Sequence, residues 1–239
     1  CSGDNAVFTI TGTATQVVTY TINGGASTTA TIGAGGTVDV TVSGVTADQA
    51  FAMVSVSDGT CTNSYSGTAT VVVNSLPTAS AGADQTVCDG TDVTLTGTGG
   101  VSYAWDNSVT DNVAFTVTNN TNAPVTTTYT LTITDANGCT ATDQADVTVN
   151  PTPTVDAIAD ETVCANTATG AVAFSSAFGV AGTSYTWTND NTTIGLAASG
   201  TGDIASFTAT NTTTTTLVAT ITVTPTAATC TGTAETFTI

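Results

Sequence analysis

The sequence predicts an all-β chain of tandem antiparallel β-sandwiches, beads on a string. Three observations carry that expectation. Thr fills 62 of the 239 positions, and Thr and Val favour a pleated surface over a helix. Apolar and polar residues alternate with period two along many short runs. The chain also repeats itself, and each copy is too short to be more than one small domain. Apolar content of 40% is enough to build cores, so low-hydrophobicity disorder does not fit.

The strands are read from the alternation. Phe8-Thr-Ile10, Val18-Thr-Tyr20-Thr-Ile22, Val38-Asp-Val40-Thr-Val42, Phe51 to Val56 and Val71 to Val73 mark the first 75 residues. Val93-Thr-Leu95, Tyr103-Ala-Trp105, Phe115-Thr-Val117, Tyr129 to Ile133 and Ala145 to Val149 mark the next stretch. Tyr185-Thr-Trp187, Leu217 to Val223 and Phe237 to Ile239 mark the last. Period two places one face in a core and leaves the other wet. Asn23-Gly24-Gly25, Ser57-Asp58-Gly59 and Asp135-Ala-Asn137-Gly138 supply the positive φ of tight hairpins. Roughly seven short strands per 75–90 residues describe an Ig-like sandwich.

Two segments nearly superimpose: Pro77-Thr-Ala-Ser-Ala-Gly-Ala-Asp84-Gln-Thr-Val-Cys88 and Pro153-Thr-Val-Asp-Ala-Ile-Ala-Asp160-Glu-Thr-Val-Cys164. Each leads to a Tyr-x-Trp, a long alternating strand, a second Cys and a closing strand. The first stretch fits the same template from Cys1-Ser-Gly3 onward, without the leader. Three repeats follow: residues 1–75 with the leader strand missing, 76–150, and 151–239 with the last strand truncated. Short Pro-bearing joints at 74–77 and 150–153 should hold neighbours semi-stiffly. The window reads as a segment of a longer chain.

The six cysteines fall two per repeat: Cys1 and Cys61, Cys88 and Cys139, Cys164 and Cys230. No Cys-x-x-Cys and no His occur, so zinc is not indicated. Disulfides within each repeat are expected, in an oxidising compartment. The alternatives are buried free thiols and, for Cys1 alone, the lipid-bearing cysteine of a lipoprotein.

Composition excludes several functions. There is no Lys, Arg or His against 18 Asp plus Glu, a formal charge of -18. Nothing can face phosphate, so no nucleic-acid partner is expected. The commonest general base is missing, a Ser-His-Asp triad cannot form, and no carboxylate pair is marked out for hydrolysis. An enzyme is not expected. No apolar run is long enough to span a bilayer. An acidic surface would stay soluble and offer no Lys or Arg to proteases.

Other candidates are weaker. Asp84, Asp89 and Asp92, and Asp135 with Asp143, could offer oxygens to calcium, as could Asp156, Asp160 and Glu161; solvated turn carboxylates are the default. No other cofactor is indicated. Tyr20, Tyr103, Trp105, Tyr185 and Trp187 are expected in the cores; for Tyr103, Trp105, Tyr185 and Trp187 the alternative is a sugar-stacking platform. Asn119, Asn191 and Asn211 begin Asn-x-Ser/Thr triplets, and residues 126–128 and 212–216 are Thr runs open to O-glycans; in so Thr-rich a chain both arise by chance.

At the Asp-x-Thr-Val-Cys leaders, the Tyr-x-Trp strands and the Asp135-Ala-Asn-Gly-Cys139 hairpin, the chain resembles the PKD-like and Ig-like repeats of giant cell-surface proteins of Bacteroidota. The first repeat departs from the pattern, with Ile22 where Trp would stand. The resemblance implies export by the type IX system, location at the extracellular cell surface, and a non-catalytic role in an adhesin stalk or filament that holds surfaces, cells or prey. It implies neighbouring repeats of the same chain as partners. Open sheet edges would also permit a multi-chain filament with strand exchange, in which a neighbour fills the leader place of the first repeat. The other reading is a carbohydrate- or protein-binding module of a secreted surface protein.

Overall fold

Alternation places one side of every long strand in a core, and the computed structural model of residues 1–239 follows that rule. In the first repeat β1 (Ala6–Thr11) buries Ala6, Phe8 and Ile10 and exposes the residues between them. It pairs antiparallel with β4 (Thr37–Val42). The facing sheet holds β3 (Thr28–Thr31), β2 (Val17–Ile22), β5 (Gln49–Ser57) and β6 (Thr62–Ser64), and β7 (Thr68–Val71) also pairs with β5. The nine residues of β5 are long enough to serve both β6 at one end and β7 at the other. Asn23 and Gly24 take positive φ at the β2–β3 turn. Phe51 is the centre of this core. Its ring lies 5.3 Å from that of Phe8 and 5.2 Å from that of Tyr20.

The second repeat contributes β8 (Gln85–Cys88), β9 (Asp92–Val93), β10 (Ser102–Trp105), β11 (Phe115–Thr116), β12 (Val125–Thr134) and β13 (Thr140–Asn150). Their sheet runs β10-β12-β13-β8, with β9 and β11 paired separately. The leader strand β8 lies parallel to the closing strand β13, from Val147 opposite Gln85 to Asn150 opposite Cys88. Alternation gives no strand direction, so the parallel pairing is a finding of the structure.

The third repeat contributes β14 (Ser184–Asn189), β15 (Ser199–Thr201), β16 (Thr220–Ala227), β17 (Cys230–Thr231) and β18 (Glu235–Thr238), plus one 3-10 turn at Thr192–Ile194. β16 buries Ile221 and Val223 completely. Several strand boundaries differ from those expected, among them β12 and β13 and three in the first and third repeats. The long strand starts at Thr220 and runs on to Ala227, β7 ends at Val71, and the last strand begins at Glu235. In each case backbone pairing extends or stops where the apolar run does not, because ladder hydrogen bonds need a partner strand and not a hydrophobic side chain.

By internal contacts the chain forms two compact units. One comprises residues 1–80, 97–104 and 131–143; the other comprises 81–96, 105–130 and 144–239. These units cut across the second sequence repeat. Its Asp135–Cys139 hairpin belongs with the first unit, tied there through sulfur as described below.

Gly200 sits across from Trp187 in the β14–β15 ladder. A Cβ added there would lie 2.3 Å from the indole ring. The indole occupies the space a side chain would need, so Gly200→Ala forces Trp187 off its rotamer. Overpacking of this kind costs about 1–3 kcal/mol. Denaturant unfolding followed by Trp fluorescence is expected to show that loss, and an unchanged midpoint would refute the packing account.

Candidate functional site

The chemistry-bearing side chains of this chain are cysteines and carboxylates, and the fold presents the cysteines in two repeated settings. The first is a turn. After Cys1, Ser2 N–H donates to Asn74 O (2.8 Å), Gly3 N–H to Val45 O (2.8 Å), Asp4 N–H to Cys1 O (3.1 Å), and Val45 N–H returns to Asp4 O (2.8 Å). After Cys88 the same four bonds recur: Asp89 to Asn150 (2.9 Å), Gly90 to Val117 (3.0 Å), Thr91 to Cys88 (3.1 Å) and Val117 to Thr91 (3.0 Å). After Cys164 three of them recur: Asn166 to Ala209 (2.8 Å), Thr167 to Cys164 (3.2 Å) and Ala209 to Thr167 (2.9 Å). The turn needs a positive φ two residues past the Cys, met by Gly3 (94°), Gly90 (77°) and Asn166 (63°). Gly and Asn are the residues that adopt it most cheaply.

The second setting is a hairpin. Asp58 N–H donates to Cys61 O, and the Asp58 carboxylate accepts from Thr60 N–H (2.9 Å) and Cys61 N–H (2.7 Å). Asp135 does the same work, accepting from Asn137 N–H and Cys139 N–H, both at 2.8 Å. Cys230 closes a tighter hairpin, paired with Ala227 across Ala228 and Thr229, both at positive φ.

The bridges join one setting to the other, across repeats. Cys1 bonds Cys139 and Cys88 bonds Cys230, each with Cα atoms 5.6 Å apart. The expected pairs within a repeat, Cys1 with Cys61, Cys88 with Cys139 and Cys164 with Cys230, do not form. The reason is geometric: a bridge requires Cα atoms within about 7 Å, and it is the hairpin of the following repeat that comes that close. Cys61 and Cys164 are left as exposed free thiols.

The carboxylates act mainly as caps. Asp84 accepts from Asp146 N–H (2.9 Å), Asp89 from Asn119 N–H (2.7 Å), and Asp92 from the Thr116 hydroxyl (2.5 Å). Glu161 accepts from Gly170 N–H (2.7 Å). The calcium candidates Asp84, Asp89, Asp92, Asp135 and Asp143 are therefore not gathered round a common point, and no three acidic or sulfur side chains in the chain converge as metal ligands. Backbone N–H groups satisfy Asp84, Asp89 and Asp135 more locally than an ion would.

The hydrogen bonds of Cys61 and Thr60 hold the Asp58 carboxyl down at about 2. Ala177 N–H and the Ser175 hydroxyl hold Asp156 below the usual carboxylate range, and Thr238 does so for Asp160.

Trp105 and Trp187 are buried, at 9% and 7% exposure, and Tyr20 is buried with them; Tyr103 and Tyr185 are half-buried. The Trp105 indole N–H reaches Asp111 (2.9 Å), whereas that of Trp187 has no partner. No aromatic platform faces solvent at these positions. The three Asn-x-Thr triplets have a structural use that the sequence did not suggest. Asn119, Asn191 and Asn211 each accept the N–H and hydroxyl of the Thr two residues on through Oδ1, and donate Nδ2 to a backbone carbonyl. They are Asx turns, and the side-chain amide a glycan would need is engaged. A cavity of about 400 Å³ in the third repeat is lined largely by Thr and holds a single carboxylate, Glu161.

No protein-family model matches the chain, and no curated protein matches it. Solved structures with similar arrangements include a Ca2+-stabilised, ice-binding adhesin of an Antarctic bacterium, at 18% identity and a TM-score of 0.40 over 99% of this chain and 68% of that one. A segment of titin matches at 13% identity and 0.35, over 98% and 92%. A 1.5-MDa bacterial ice-binding adhesin matches at 14% and 0.30, over 99% and 90%. At these scores they carry no argument about this chain, whose fold is read from its own strands.

Two outcomes are expected. Alkylation of native, unreduced protein should label Cys61 and Cys164 alone, with Cys1–Cys139 and Cys88–Cys230 peptides in the unreduced digest; labelling of any other cysteine contradicts the bridge pattern. The folded-state carboxyls of Asp58, Asp156 and Asp160 titrate below their ordinary 3.8. Their stabilisation is therefore present above about pH 4 and is lost as pH falls towards 2. Near-UV circular dichroism should show that acid limb, shallower in Asp58→Asn.

Proposed function

We propose that this chain is a non-catalytic structural segment of an extracellular filament or adhesin stalk, built of three Ig-like repeats and carrying tension between a cell and what it holds. The observation that carries this reading is the overlap of the two bridges. The loop closed by Cys1–Cys139 and the loop closed by Cys88–Cys230 share the residues between 88 and 139. A pull on the two ends therefore travels through Cys1 to Cys139, back along the chain to Cys88, across to Cys230 and out. That route uses about 60 residues of backbone, or roughly 200 Å fully stretched, against about 800 Å for the unbridged chain.

The bridges also imply an oxidising compartment, which suits display at the cell surface. No helix is long and apolar enough to cross a membrane. Export by the type IX route of Bacteroidota belongs to the same proposal through the resemblance of the repeats. So does strand exchange between chains. In the second and third repeats the leader runs beside the closing strand, through β8 on β13 and through Glu161 N–H to Thr238 O. A groove of about 410 Å³ lies between β1 and β7 of the first repeat, lined in part by Phe51 and Met53, and an added edge strand fits its chemistry.

Force spectroscopy of the chain held at its termini tests the reading. The expected contour length is about 200 Å when oxidised and about 800 Å after reduction. Equal lengths in the two conditions would remove the mechanical basis of the proposal.

A further inference from the structure

Where the second repeat meets the third, inside one of the two compact units, there is an open cavity of about 300 Å³. Asp89 and Asn120 line it from one repeat, and Thr152, Phe178 and Thr233 from the other. Its walls are pinned. Asp89 directly follows Cys88 and Thr233 lies three residues past Cys230, so the Cys88–Cys230 bridge ties the two sides together. Asn122 Nδ2 donates to Gly179 O (3.5 Å), beside Phe178. A site held in this way loses little freedom when a ligand enters it.

Two of these side chains are not accounted for by folding. Phe178 is 37% exposed, whereas the other six phenylalanines are buried or half-buried. Asp89 stands in the place after the turn cysteine that Ser2 and Ala165 fill in the other repeats. The bonds that make the turn are all backbone bonds, so it needs no carboxylate there. One Asp89 oxygen accepts from Asn119 N–H (2.7 Å), and the other has no partner in the chain. The Asn120 amide and the Thr152 and Thr233 hydroxyls are likewise uncommitted.

We propose that this cavity binds the guanidinium group of an arginine side chain on a partner protein. The flat face of the group lies on the Phe178 ring, and its N–H donors go to the Asp89 carboxylate and to the side-chain oxygens of Asn120 and Thr233. Guanidinium is planar, carries five N–H donors and stacks on aromatic faces, and the cavity offers a counterpart to each property. The charge of -18 concentrates cations at the surface and does nothing for a neutral sugar. No side chain of a second copy can fill the site, because the chain has no Lys, Arg or His. The partner is therefore a different protein. The site asks nothing of the tension-bearing role, so a failed force measurement and a failed binding measurement are separate results.

The test titrates the oxidised, isotope-labelled chain with N-acetyl-arginine amide at about 50 mM salt, where charges still act over about 10 Å or more, and follows the amide chemical shifts. N-acetyl-citrulline amide, close in shape and neutral, is the control. The arginine compound is expected to give saturable shifts confined to Asp89, Asn120, Phe178, Thr233 and their neighbours, with a Kd on the order of a millimolar, and the citrulline compound is not. Asp89→Asn keeps an oxygen for Asn119 N–H and removes the charge, and should weaken binding at least about fivefold. Phe178→Ala should weaken it about two- to fivefold. Asp84→Asn makes the same change of net charge outside the cavity lining and should leave the Kd within about twofold. Equal binding of the citrulline compound, shifts that spread over the acidic surface without saturating, or equal weakening by Asp84→Asn and Asp89→Asn overturns the proposal. So does the absence of shifts up to about 20 mM, or a methyl glycoside that saturates the same amides more tightly than the arginine compound.

Discussion

The backbone turn that follows the first cysteine of each repeat places sulfur for the rest of the molecule. Two reciprocal hydrogen bonds, such as Gly90 N–H to Val117 O and Val117 N–H to Thr91 O, clamp the turn to the strand segment beside it. The residue at positive φ turns the chain away from its leader just after the Cys. With the Cα position held there, sulfur reaches the buried hairpin cysteine of the next repeat. Closing loops with sequence separations of 138 and 142 stabilises the fold by about 5 kcal/mol each on the chain-entropy account. Small sandwiches with modest cores have few other sources of that size.

The second constraint is the near-absence of positive charge. The sequence holds no Lys, Arg or His. Carboxylates that would elsewhere pair with Lys or Arg instead accept from backbone N–H groups and Thr hydroxyls. Thr9 donates to Asp39 and Thr116 to Asp92, each pair directly opposite across a ladder. Thr128 donates to Asp146, and Thr126 and Thr148 share a hydrogen bond at 2.8 Å. Cross-strand pairs of this kind do for a sheet what ion pairs do elsewhere. The abundance of Thr thus has two uses, β propensity and the donors that a cation-free acidic surface lacks.

Much of this was legible in the sequence, and the part that was not has a definite cause. Strands such as Phe8-Thr-Ile10 and Tyr129 to Ile133 announce themselves because burial alternates with the pleat. The equivalence of Cys1, Cys88 and Cys164 is visible in the repeats as well. Which hairpin each one meets is not visible, because a periodic sequence is equally consistent with bonds inside a repeat and bonds to the next. Only distance chooses between the two registers. The parallel leader β8 was hidden for a related reason: Gln85-Thr-Val-Cys88 reads the same whichever way its neighbour runs. The Asn-x-Thr triplets concealed their use because an acceptor for a glycan and an Asx turn share one pattern, and only the hydrogen bonds of Asn119, Asn191 and Asn211 separate them.

The span of the first bridge bears on how the molecule can be made. A polypeptide synthesised or threaded through a pore from its amino end presents Cys61 long before Cys139 exists. The exposed Cys61 is therefore available to Cys1 before Cys139 is, and it is the wrong partner. Productive maturation needs either surroundings that keep both reduced until the second repeat has been completed, or an isomerase that shuffles the early mispair. Timing of oxidation, as much as sequence, decides which molecule emerges.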